Sequence, residues 1–199
     1  AIMKRLSAIL WGIILSATLI GFLSTGEMHA VTGEPQYAHP EALASTDWLQ
    51  THLMDDDIRI VDCTVSFINP DSYNKGHIPG AVSLDVIRQL SDPNGRVPLL
   101  ILAESQFEKT MGNLGIGNDI TVVVYDAFGG SWAARLWWAL MYYGHDNVKI
   151  LNGGLGKWKA EGRKIETEAS VPTPRIFKAK TQASLTRSVD NSAHSGVLN

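Results

Sequence analysis

A single cysteine, Cys63, stands among 199 residues, so no intrachain disulfide can staple the fold and stability must come from a packed core. Sustained lysine and arginine runs are missing, and 17 basic residues against 20 acidic ones leave a formal charge of -3. That balance gives no basic stripe of the kind nucleic-acid binding requires, and no nucleic-acid partner is expected. The histidines are scattered, and with one cysteine they make no cluster at metal-ligand spacing, so neither a metal nor a cofactor is implied. No internal repeat is visible. What remains, 45% hydrophobic and 19% charged residues, suits one globular domain with one core.

The N-terminus is different in kind. Met3-Lys4-Arg5 forms a positive start, and Leu6 to Leu23 follows as an uncharged apolar run. Residues 1–30 therefore read as a secretory signal or an N-terminal anchor. Cleavage after Ala30 would leave Met28 at the minus-three position, where a small residue is preferred, and the run is near the roughly 18-residue limit for spanning a bilayer. The expectation is export to the periplasm, with membrane attachment only if the segment stays uncleaved.

Residues 31–41 read as a linker, 42–178 as the folded domain and 179–199 as a linker or tail. Ser45 and Thr46 can cap a helix carrying Trp48, Leu49 and Leu53 on one face. Ile58 to Val61 and Ala81 to Leu84 read as short strands. Ile120 to Tyr125 is β-branched and apolar without alternation, as in a parallel strand covered on both faces. Helices follow at Ser105 to Leu114, stopped by Gly115, and at Ser131 to Tyr143, which is apolar almost all round. Val148 to Leu151 is a further strand, and Leu155 to Ala160 a helix stopped near Gly162. The alternation predicts an α/β fold, a central parallel sheet with helices on both faces.

In such a sheet, ligands gather beyond the carboxyl ends of the strands. The segment Asp126-Ala127-Phe128-Gly129-Gly130-Ser131 joins the central strand to the next helix. Its glycines let N–H groups converge, and the helix adds the positive end of its dipole, so an anion or thiolate at the loop centre would be stabilised.

Gly76-His77-Ile78-Pro79-Gly80-Ala81, Val122-Val123-Val124-Tyr125-Asp126 and Leu151-Asn152-Gly153-Gly154-Leu155 with Trp158 resemble, in this order and spacing, the rhodanese family. Thr46-Asp47-Trp48-Leu49 and Gly115-Ile116-Gly117-Asn118-Asp119 are similar to the first domain of tandem thiosulfate or 3-mercaptopyruvate sulfurtransferases. The resemblance runs from about Ala42 to Phe177 and implies the three-layer rhodanese-like fold. It also implies transfer of sulfur from a small sulfur-containing anion to a thiophilic acceptor, through a persulfide on a cysteine directly after the central strand. That position is Asp126, so no catalytic residue is expected in this domain. Ala127 and Phe128 stand where active relatives carry basic residues. In tandem members the first domain commonly lacks the cysteine, which implies as partner a second rhodanese-like domain absent from this chain.

Asp62, His77 and Arg135 read as a framework of ion pairs or hydrogen bonds around the loop. Cys63 is a substitute nucleophile only on a weak reading, because Thr64-Val65-Ser66-Phe67 offers no glycine-rich cradle. Trp158 and the Gly153-Gly154 turn read as structural, beside the last strand. A stand-alone, non-catalytic binding module is the alternative function, and a cysteine-dependent phosphatase would fail for the same want of a cysteine at Asp126.

Overall fold

The computed structural model describes residues 37–185. The apolar run from Leu6 to Leu23 and the chain beyond 185 lie outside the described residues, as do the expectations attached to them. Among the described residues no helix is long and apolar enough to cross a membrane.

The architecture follows from β4, Thr121–Tyr125. Its side chains alternate between two apolar layers. Val122 and Val124 pack with Phe107, Met111, Leu136 and Leu140, whereas Val123 and Tyr125 pack with Leu49, Ile78, Leu155 and Trp158. A strand buried on both sides has no polar face to display, which is why the sequence lacks alternation there. Around it the sheet is wholly parallel, in the order β1-β5-β4-β2-β3, with β1 Leu43–Ala44, β2 Ile58–Asp62, β3 Val82–Ser83 and β5 Val148–Leu151. β2 and β4 run in register from Ile58 against Thr121 to Asp62 against Tyr125, which sets Asp62 and the start of the Asp126 loop side by side.

On one face lie α3, Glu104–Asn113, and α4, Ser131–Tyr142; on the other lie α1, Thr46–Thr51, and α5, Gly154–Ala160. Ser45 caps α1 by accepting the Trp48 amide at 3.0 Å. The helix is shorter than its apolar spacing predicts: it ends at Thr51, and Leu53 sits in the turn that follows. Several short elements escape the sequence reading, among them the 3-10 turn Ala183–Leu185 in the stretch read as tail. The two residues of β1 are too few for any period to register, and the 3-10 turn Pro40–Ala42 that introduces it straddles the end of the stretch read as linker. The single-turn α2, Ser72–Lys75, is likewise too short.

The chain after α5 does not leave the domain at once. Phe177 is buried against Phe107, and the amides of Lys180 and Gln182 donate to the carbonyls of Tyr143 and Tyr142 at 2.9 and 2.7 Å. This strap holds the described C-terminal residues against the end of α4.

Trp158 is fully buried, and its indole N–H donates to the Lys164 carbonyl at 2.8 Å, so the ring both fills the second layer and ties down the segment leaving α5. Trp158→Ala is expected to destabilise the domain by about 3–5 kcal/mol, read from denaturant unfolding; an unchanged midpoint would contradict this packing.

Candidate functional site

β4 delivers Asp126 as the first residue beyond its carboxyl end, and the chain must turn within four residues to begin α4 at Ser131. Gly129 and Gly130 make the turn with φ of +79° and +92°, a region that a Cβ would strain. The reversal aims the loop amides and the first turn of α4 at one point.

That point is occupied by the carboxylate of Asp126. Oδ1 accepts the amides of Phe128 at 2.7 Å and Gly130 at 2.9 Å, and Oδ2 accepts those of Trp132 at 2.9 Å and Ala133 at 3.0 Å. The residue is only 1% exposed. Two of these amides belong to the opening turn of α4, whose N–H groups have no partner within the helix, and the N-cap Gly130 has no side chain to offer them. Asp126 therefore caps α4 from the preceding strand. Negative charge at a helix N-terminus and charge-assisted hydrogen bonds both favour the arrangement.

The backbone of Asp126 is held as well. Its carbonyl accepts the amide of Leu155 at 3.2 Å, and a Cβ on Gly154 would lie 2.6 Å from that oxygen. The Gly153-Gly154 turn is thus part of the site, closing the start of α5 onto the loop. Sequence reasoning placed this turn beside the last strand without linking it to Asp126; two successive glycines opening a helix were the available signal.

The other predicted residues divide. Cys63 is fully buried in the α3/α4 layer, with its amide donating to the Tyr125 carbonyl at 2.8 Å. Burial pushes its thiol well up, and the neighbouring carboxylates of Asp62 and Asp126 push it further, the opposite of what a nucleophile needs. Asp62 accepts the Thr64 amide at 2.8 Å; burial raises its carboxyl, against the opposing effect of the Thr64 hydrogen bonds and the Tyr125 hydroxyl. His77 stacks on Tyr73 with ring centroids 3.8 Å apart, its Nδ1 lies 2.8 Å from the Tyr73 carbonyl, and its backbone exchanges hydrogen bonds with Glu166. It shapes the turn before β3, where the Ile78 amide donates to the Tyr125 hydroxyl at 3.2 Å.

Arg135 does not join Asp62 in a common framework. Its guanidinium donates to the Val86 carbonyl at 3.3 Å, Ser91 Oγ at 3.1 Å and the Leu99 carbonyl at 2.8 Å, fastening the 86–99 connection to α4. The side chain leaves α4 toward that connection, which has carbonyls to be satisfied, while the loop anion is already saturated by amides.

Ala127 is half-buried, Phe128 and Gly129 form the exposed tip, and Ser131 is exposed at the first position of α4. Among the described residues no group of three or more His, Cys, Asp or Glu side chains is placed to hold a metal ion. Chemically, the loop is an anion cradle filled by its own side chain.

A family model described as a rhodanese-like domain matches residues 45–161. The chain is 44% identical over 142 residues to the sulfur carrier protein TtuD of Thermus thermophilus, covering 71% of this chain and 48% of that protein. It is 35% identical over 161 residues to the thiosulfate sulfurtransferase of Mus musculus, covering 75% and 53%. The crystal structure of SseA from Escherichia coli, described among 3-mercaptopyruvate sulfotransferases, aligns with a TM-score of 0.65 at 33% identity, covering 71% of this chain and 56% of that one. The chain spans about half the length of the curated relatives it matches.

Two outcomes follow from the geometry. Asp126→Asn turns an amide N–H group toward donors that need acceptors, and is expected to destabilise the domain by about 2–5 kcal/mol in denaturant unfolding; wild-type stability would contradict the cradle. Cys63 is expected to resist alkylation by iodoacetamide in the native domain and to react fully once unfolded; rapid native labelling would contradict its burial.

Proposed function

The chain belongs to the rhodanese-like domain family, and from that premise we propose that it is the non-nucleophilic domain of a longer sulfurtransferase. One observation carries the proposal: the carboxylate of Asp126 takes all four amides of the cradle that follows the central strand. A rhodanese-type nucleophile is a thiolate that attacks the sulfane sulfur of its donor. With thiosulfate, the donor's S–S bond breaks, sulfite leaves and a persulfide forms on the enzyme. A carboxylate held by four donors has no such reaction open to it, and Cys63, the only thiol, is sealed in the core.

On this reading a second rhodanese-like domain supplies the cysteine, thiosulfate or 3-mercaptopyruvate supplies the sulfur, and a thiophilic acceptor receives it. The relatives named above are sulfur-handling proteins about twice as long as the matched region, which favours the enzyme over a free-standing module. The outer face of α4 supports a partner domain: Trp137, Trp138 and Tyr142 remain partly exposed, with Trp138 and Tyr142 stacked 5.2 Å apart on each other. Export is part of the same proposal, on the strength of Lys4-Arg5 and the apolar run behind them.

The purified chain is expected to form no persulfide with thiosulfate, by intact mass, and to show no thiosulfate:cyanide turnover. Asp126→Cys is expected to gain weak activity at most, because Ala127 and Phe128 bring no positive charge to a donor anion. Wild-type turnover that Cys63→Ser abolishes in a folded protein would overturn the proposal.

A further inference from the structure

A second charged site lies at the opposite end of the sheet. Arg59 is the second residue of β2 and pairs in register with Val122, at the amino end of β4, whereas Asp126 follows its carboxyl end. β3 pairs with β2 only at Val61 and Asp62, so among the described residues no strand covers the edge of β2 from Ile58 to Ile60. A cavity of about 800 Å3 opens there. Leu53, Ile58 and Pro79 give it apolar wall, and Arg59, Arg175 and Lys164 bring positive charge.

The partners of these cations are unequal. Lys164 pairs with Glu166 at 3.0 Å, and Glu166 also accepts the Gly80 amide at 3.4 Å. Arg175 pairs with Asp119 at 3.4 Å and donates to the Asp56 carbonyl at 3.1 Å. The Arg59 side chain has no ion pair and no hydrogen bond among the described residues, and its Nε is fully buried. Asp55 and Asp56 line the rim, but both are exposed and neither lies within ion-pair distance of Arg59. Gly115 walls the guanidinium on one side: a Cβ there would sit 2.9 Å from Nη2. Burial and the charge of Arg175 both bear on Arg59 in the unfavourable direction. A half-buried guanidinium beside a second one, with no carboxylate in ion-pair contact with it, is a costly arrangement that a bound anion relieves.

We infer that this cavity binds an oxyanion carried on an apolar body, with the anionic head between Arg59 and Arg175 and the body against Leu53, Ile58 and Pro79. The planar fork of Arg59 suits a carboxylate or phosphate head, and the volume suits a ligand larger than a free inorganic ion. The site is independent of the Asp126 loop and of any sulfur transfer.

Phenyl phosphate is the first probe and inorganic phosphate the second, each titrated into the chain and followed by amide chemical shifts. Phenyl phosphate is expected to bind more tightly than phosphate and to move the resonances of Arg59, Gly115 and Arg175, leaving Phe128 to Ala133 unmoved. Arg59→Met keeps the apolar stem and removes the charge; it is expected to weaken binding by about tenfold or more, with an unliganded melting temperature equal to or above that of the wild type. Arg88→Met, an exposed arginine elsewhere, is expected to change nothing. If Arg59→Met does not fold, Arg59→Lys decides, since it keeps charge but loses the fork and is expected to bind more weakly. No shift at millimolar phenyl phosphate, shifts confined to the 126–133 loop, or wild-type affinity in the arginine variant would each overturn the inference.

Discussion

Each oxygen of the Asp126 carboxylate takes two main-chain N–H groups, and these four hydrogen bonds fix how the chain passes from β4 into α4. Without them the turn would hold four converging amides around a buried point with nothing to accept from them. Leaving one such donor unpaired costs about 1–3 kcal/mol, so the loop, its left-handed glycines and the start of α4 stand or fall together. The fixing extends further, because the Asp126 carbonyl anchors the first amide of α5 beyond Gly154. Two helices on opposite faces of the sheet thus begin from contacts with one residue.

The same bonds explain how a rhodanese-like fold holds this loop in shape with a carboxylate at its centre. A thiolate or persulfide in such a cradle would be stabilised by converging amides and a helix N-terminus, and a carboxylate satisfies the same donors permanently. With a carboxylate filling the cradle, every converging amide keeps a partner and the architecture is intact. The thiol of Cys63 lies apart from the cradle, facing the α3/α4 layer rather than solvent.

Much of this was legible in the residues. The unbroken apolar β4 and the largely apolar α4 identified the parallel sheet because burial leaves a compositional trace, and the turn glycines marked its loop because a left-handed turn favours them. The place of Asp126 directly after Tyr125, at the carboxyl end of the central strand, could be read from the sequence. Its four hydrogen bonds could not, since convergence of amides is a property of backbone torsion and leaves no trace in composition. Arg135 was misplaced for a related reason: a long side chain reaches whichever carbonyls remain unsatisfied, and the 86–99 connection has no periodic pattern to announce them. β1 and α2 were invisible because two and four residues carry no period. Arg59 stood inside an apolar strand, yet only the short reach of β3 reveals the cavity beside it.

Amide hydrogen exchange at the loop reports on the Asp126 anchor residue by residue. Phe128 is an exposed side chain at a surface turn, where an ordinary βα loop would exchange its amides rapidly. If the Asp126 carboxylate anchors the turn, the amides of Phe128, Gly130, Trp132 and Ala133 exchange slowly as a group, while that of Gly129, which is not among its partners, exchanges fast. Fast exchange at Phe128 and Gly130, comparable to Gly129, would contradict the account and place the carboxylate outside its cradle.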